Sequence, residues 1–147
     1  MTILVFGASS QIGHFLLPRL LASGEPVLAL SRQPRPPLAG VTWLQGTLPD
    51  RVPALPRLSA IISFGPLQGL ADWLAHAVLA DAPRVVATSS MSAETKRESS
   101  VPAERALARQ LRAGEAALAA ACERHGCAWT VLRPTLVYGA GLDKSLT

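Results

Sequence analysis

Residues 3–6, Ile3-Leu4-Val5-Phe6, run without a linker into Gly7-Ala8-Ser9-Ser10-Gln11-Ile12-Gly13 and from there into a pattern of helical period. Few folds accept a buried strand that turns on glycine directly into a helix. Gly7 permits the tight turn, and Gly13 lets the helix pack closely on the strand. The first N–H groups of such a helix have no partner within it, so they face an anion, and a pyrophosphate is the natural guest. Ser10 adds a Cβ that limits close backbone approach at the centre of the turn, while its hydroxyl can donate to a phosphate oxygen.

Beyond this opening, short apolar runs at 27–30, 41–44, 60–64, 85–88 and 128–132 alternate with longer helical patterns. With 3–6, they are apolar at nearly every position, as strands are when helices cover both faces of a sheet. Helices are predicted over 11–22, 70–79 and 103–123, whereas 34–38 and 49–56 hold too much proline for long ones. The expectation is an α/β fold, a doubly wound (Rossmann) parallel sheet of about six strands with helices on both faces. Pro18 lies inside the first helical pattern and predicts a kink or tightened turn near His14. The polar stretch 91–101 predicts a mobile loop. At 147 residues, one domain spanning 1–147 is expected.

Ser31 and Arg32 close the second strand, where a dinucleotide-binding fold meets the adenosine ribose. An acidic side chain there would accept from the ribose 2′-hydroxyl and repel a 2′-phosphate. Arg32 can instead pair with that phosphate through charge-assisted hydrogen bonds, so NADP is expected, with NAD as the alternative.

Composition mainly excludes. The net charge of +4 comes from scattered arginines, with no basic stripe for nucleic acid. No apolar run reaches the roughly 20 residues of a membrane span, and no signal peptide is visible at the N-terminus. Cys122 and Cys127, with His125 between them, make neither a disulfide framework nor a metal site. No metal is expected, and the predicted compartment is the reducing cytoplasm.

Three segments, taken together, resemble the short-chain dehydrogenase/reductase superfamily in its extended and atypical branches, which include nucleotide-sugar epimerases and dehydratases. They are the glycine turn, the strand end Val85-Val86-Ala87-Thr88-Ser89-Ser90, and Leu132-Arg133-Pro134-Thr135-Leu136-Val137-Tyr138-Gly139. The resemblance implies a nicotinamide dinucleotide whose pyrophosphate lies over Gly7, Ser9, Ser10, Gln11, Ile12 and Gly13, with Ser31 and Arg32 at the adenosine phosphate. It implies that Phe64 and Gly65 line the nucleotide and that Pro134 and Thr135 lie against the nicotinamide. Ser90 takes the place of the serine that hydrogen-bonds the reacting oxygen, with Ser89 its neighbour in register, and is the candidate catalytic residue. Pairing of two copies through helix 103–123 is implied as well.

Two departures accompany these matches. The family's proton-transfer pair, a tyrosine followed four residues later by a lysine, can be drawn nowhere: Tyr138 is the only tyrosine, its fourth follower is Leu142, and the only lysines are Lys96 and Lys144. With Glu115 resembling the glutamate that closes the family's helix motif, the pair falls on Leu107 and Leu111. These share a helix face with Gly114 and Leu118, so the face is expected to continue the apolar stripe. Leucine exchanges no proton, and Arg105, Arg109 and Arg112 stay protonated at working pH. The second departure is Gly46-Thr47-Leu48 where an aspartate usually contacts the adenine, leaving Thr47 as a weaker substitute.

Two functions fit. One is an oxidoreductase or epimerase-type enzyme in which NADP moves hydride and Ser90 or a substrate group handles the proton. The other is a non-catalytic sensor or regulatory module that binds the nicotinamide nucleotide and informs a partner. Family members continue into a substrate-binding lobe that is absent or truncated here, so the expected chain is either a shortened form or a minimal cofactor module. The small-molecule substrate is left open.

Overall fold

A computed structural model describes residues 2–8 and 11–134, with the backbone alone at 11 and 12. Its six strands are β1 (Thr2–Phe6), β2 (Val27–Ser31), β3 (Val41–Gln45), β4 (Leu58–Ser63), β5 (Arg84–Thr88) and β6 (Trp129–Leu132). They form one parallel sheet in the order β3-β2-β1-β4-β5-β6. The helices are α1 (Gln11–Ala22), α2 (Leu67–His76), the single turn α3 (Ser92–Thr95) and α4 (Pro102–His125). The expected doubly wound α/β architecture is present. The chain builds outward from β1 to β3 and then returns to the other side of β1, so β1 and β4 flank the point where the strand order reverses.

Strand geometry sends successive side chains to opposite faces, and the central strands bury both sets. On one face Ile3, Val5, Val27 and Ala29 pack against Leu17 of α1. On the other, Leu4, Phe6, Leu28, Leu30, Ile61 and Val85 pack with Leu67, Leu70 and Leu74 of α2 and Leu118 of α4. Each Leu, Ile or Phe so buried stabilises the fold by about 1.5–3 kcal/mol relative to exposure. The outer strands differ from the expectation of a uniformly interior sheet. In β6, Trp129 is 37% and Leu132 51% exposed, and β3 is only partly covered. An edge strand has one neighbour, so its apolar run alone does not guarantee cover.

Four other expectations can be set against the structure. Helix α1 runs from Gln11 to Ala22 with Pro18 inside it, so the proline does not end the helix. Helix α2 covers Leu67–His76 instead of 70–79: it starts directly after Pro66, whose carbonyl accepts from the Leu70 N–H at 3.0 Å, and Ala77 turns extended at ψ 146. No helix separates β2 from β3 or β3 from β4, as the prolines there predicted. The stretch 91–101, expected to be a mobile loop, is pinned: it contains α3, the Met91 N–H donates to the Pro134 carbonyl at 3.1 Å, and Lys96 pairs with Glu104 at 3.1 Å. The Ser99 hydroxyl also donates to Glu104 at 2.7 Å, and Arg105 to the Ser99 carbonyl at 2.8 Å. The stretch is tied chiefly to the start of α4, while several of its polar side chains stay exposed.

Candidate functional site

At the carboxyl ends of β1 and β4 the chain makes the turn that the glycines predicted. Gly7 has φ 72, a left-handed conformation that glycine adopts without strain. A Cβ there would approach the Phe64 carbonyl carbon to 3.0 Å and the Gly65 nitrogen to 3.1 Å. The Phe64 N–H donates to the Phe6 carbonyl at 2.9 Å, lacing the two strand ends together. Gly13 is tighter still, since a Cβ on it would overlap the Ala8 carbonyl group. The turn is therefore a cradle built by absent side chains. Ser9, Ser10 and Thr135 lie outside the described residues, as do the side chains of Gln11 and Ile12.

From this turn a cleft of about 500 Å3 extends along the ends of β2 and β3, bordered by Gly7, Ser31, Arg32, Gly46, Thr47 and Gly65. Gly65 is set by its N–H donating to the buried Ser63 hydroxyl at 3.2 Å. The Phe64 ring packs with the α1-side core, and Phe64 meets the turn through its backbone. Arg32 projects from a braced loop. The Gln33 N–H donates to the Ser31 hydroxyl at 3.3 Å, the Gly46 N–H to the Ser31 carbonyl at 2.9 Å, and the Gln45 amide to the Arg32 carbonyl at 3.2 Å. Sequence reasoning missed Arg35, which borders the same cleft with its guanidinium 5.8 Å from the Trp43 ring centroid. The signal was the short proline-limited loop after β2, which keeps Arg32 and Arg35 near one rim. Among the described residues, no carboxylate lies within ion-pair distance of either arginine.

A second group of residues gathers beyond β5. Ser89 is held by its N–H donating to the Leu132 carbonyl at 2.7 Å. The half-buried Ser90 hydroxyl accepts from the Ser92 N–H at 3.1 Å, which leaves its own hydrogen available to a ligand oxygen. Pro134 is tied in through its carbonyl, which accepts from Met91. Behind these, Arg133 grips Glu115 in two parallel bonds, 2.8 Å from Nε and 2.5 Å from Nη2, and reaches Glu94 at 3.3 Å from Nη1. Such a fork fixes geometry as well as charge, and it locks the end of β6 to α4 and α3. The link to Glu94 spans a segment that the sequence suggested was loose.

Arg133, through its hydrogen bonds, is the main force holding the Glu115 carboxyl below the usual carboxylate range; burial opposes it, and Ser89 and Arg112 assist. The Arg133 guanidinium is raised in turn by Glu115. Because the folded-state value for Glu115 is depressed, its stabilisation is complete above the unfolded carboxylate pKa of about 4.3 and is lost as pH falls through the lower folded value. Thermal unfolding followed from pH 7 to pH 3 is expected to show a smaller acid-side loss of stability for Glu115→Gln than for wild type. Identical acid limbs would show that this fork contributes nothing to acid sensitivity.

Where the resemblance put the proton-transfer pair, Leu107 is 39% exposed and Leu111 half-buried. The expected continuation of the apolar stripe through Leu107 is corrected: the buried line of α4 is Ala108, Gly114, Leu118, Ala121 and Cys122. Spacing sets the direction of a side chain, whereas burial requires something opposite it. At the start of α4 the cover reaches Ala108 and not Leu107.

The strand order, the glycine turn at the reversal point and a crevice at the carboxyl strand ends define a dinucleotide-fold domain. Among solved structures it is similar to MoeE5 in complex with UDP-glucuronic acid and NAD, at 23% identity and TM-score 0.70, covering 99% of this chain and 58% of that one. UDP-glucuronic acid 4-epimerase from Bacillus cereus in complex with NAD matches at 16% identity and TM-score 0.65, over 95% of this chain and 57% of that one. Vestitone reductase from alfalfa matches at 14% and 0.61, over 90% and 56%. This chain thus spans under two thirds of the length of each, and at these identities the likeness establishes the shared fold. No protein-family model and no curated protein matches the sequence.

Proposed function

We propose that this chain binds a nicotinamide dinucleotide, NADP in preference to NAD, as the cofactor domain of a protein akin to the nucleotide-sugar epimerases and atypical short-chain reductases. One observation carries this: at the strand-order reversal, a turn that only glycine can make opens into a cleft whose far rim holds Arg32, with no acidic partner among the described residues. Gly7 and Gly13 let the first strand end, the fourth strand end and α1 approach closely enough to shape a phosphate-binding turn, and a guanidinium at the end of β2 suits a 2′-phosphate better than a ribose hydroxyl. When bound, the cofactor supplies hydride transfer. The chain's own part is to hold it, to brace Ser89 and Ser90 through Arg133 and Glu115, and to offer the Ser90 hydroxyl to a reacting oxygen.

Calorimetry with NADP, NADPH, NAD and NADH tests the binding. Arg32→Ala is expected to weaken NADP by roughly 1.5–3 kcal/mol, the worth of a charged hydrogen bond, and to leave NAD nearly unchanged. Absence of binding at millimolar nucleotide would exclude the proposal, and equal weakening of NAD would exclude the role of Arg32.

A second function, a sensor or regulatory module without turnover, is favoured by Leu107 and Leu111 where the proton-transfer pair is expected. Cofactor absorbance in the presence of sugar nucleotides, aldehydes and ketones separates the two: turnover of any supports the enzyme, and none supports the module. A reducing cytoplasmic setting is supported by the free, buried Cys122 and Cys127, and pairing through α4 completes the proposal. Among the described residues no helix is long and apolar enough to cross a membrane.

A further inference from the structure

Beside the adenosine end of the cleft lies a second cavity of about 490 Å3, bordered by Arg32, Gln45, Gly46, Thr47 and Arg51. It shares Arg32, Gly46 and Thr47 with the main cleft, so the two adjoin at these residues. Nothing in the sequence marked Arg51, which lies in the proline-rich connection after β3. We infer that Arg51 is the second arm of an anion clamp that, with Arg32, receives a phosphomonoester carried on the ribose of the nucleotide.

The backbone brings Arg51 there by a specific fold-back. Thr47 and Arg51 exchange two hydrogen bonds, from the Thr47 N–H to the Arg51 carbonyl at 2.9 Å and from the Arg51 N–H to the Thr47 carbonyl at 3.0 Å. Gly46 makes this possible, because a Cβ at that position would overlap the Arg51 carbonyl oxygen. The same short stretch holds Arg32: Gly46 donates to the Ser31 carbonyl and Gln45 to the Arg32 carbonyl. Both arginines therefore spring from one braced platform, on either side of Gly46.

Charge points the same way. Among the described residues neither Arg32 nor Arg51 has a carboxylate within ion-pair distance, and Asp50, next in the chain to Arg51, forms no such pair with either. No acidic side chain borders the second cavity. A phosphomonoester carries close to two negative charges at neutral pH and has oxygens enough for two guanidinium forks, whereas a ribose hydroxyl can use neither. Both arginines are exposed and border the same opening.

This assignment rests on NADP being the cofactor, and the test separates the two claims. Binding of NADP, NAD, 2′,5′-ADP and 5′-ADP to the intact chain is measured by calorimetry for wild type, Arg51→Gln and, as a control for net charge, Arg124→Gln on the exposed end of α4. Arg51→Gln is expected to weaken NADP and 2′,5′-ADP roughly tenfold while changing NAD and 5′-ADP by less than about twofold, and Arg124→Gln to change none of them by more. A wild type that prefers NADP while Arg51→Gln keeps that preference overturns the clamp and leaves the cofactor choice standing. A wild type that binds NADP and NAD equally overturns both.

Discussion

Gly13→Ala is expected to abolish dinucleotide binding and to destabilise the fold by about 1–3 kcal/mol or more, the usual cost of forcing an extra methyl into packed structure. The added Cβ meets the carbonyl group of Ala8, which is backbone in a residue only 2% exposed, so neither side can yield by a rotamer change. Relief requires α1 to move away from the end of β1, and that motion disturbs the turn proposed to hold the nucleotide phosphates. Gly114→Ala is the matched control, since a Cβ there would meet the Leu67 side chain at 3.5 Å, an ordinary contact. Paired urea unfolding and NADP titrations check the contrast. If Gly13→Ala keeps both wild-type stability and wild-type affinity, the close approach of α1 to β1 is not what holds the site.

The second large effect is expected at Leu118, which is fully buried where α4 meets the core beneath β4 and β5. Truncation to alanine removes the side chain from a close-packed site and leaves a cavity, at a cost of about 2–5 kcal/mol. Against a total stability of about 5–15 kcal/mol, that is a substantial fraction. Because α4 also carries Glu115, loosening the helix should free Arg133 and with it the ends of β5 and β6 at Ser89, Ser90 and Pro134. Hydrogen exchange is expected to rise at Ser89, Ser90 and Arg133 as well as around Leu118. A midpoint of urea unfolding equal to that of wild type would place the anchorage of α4 elsewhere.

The parts of the molecule legible in the sequence are those whose causes are local. Phe6, Gly7 and Gly13 announced a strand, a turn and a helix because strand burial, positive φ and close packing act within a dozen residues. The prolines at 34–38 and 49–56 excluded helices there for the same reason, through the missing N–H and the fixed φ. Harder to see was whatever depended on a partner far along the chain. The polar stretch 91–101 looked loose because its charges were visible, whereas its tie from Glu94 to Arg133 spans 39 residues. Leu107 looked like core because its spacing matched Leu118, yet a matched direction on a helix does not supply a neighbour. Arg32 was legible from its place at a strand end, whereas Arg35 reaches the cleft and Arg51 the adjoining opening through loops whose paths no period encodes.

By itself, then, the order of residues settled the alternation of strand and helix, the glycine cradle at the first crossover and the absence of any tyrosine-lysine pair, since each depends on chemistry carried by neighbouring positions. Tertiary structure alone decided which strands became edges, that Glu94 and Glu115 close on Arg133, and that Gly46 admits the backbone of Arg51 beside Arg32. The division has one physical origin: spacing along the chain sets where a side chain points on its own element, and only packing between elements sets what it meets.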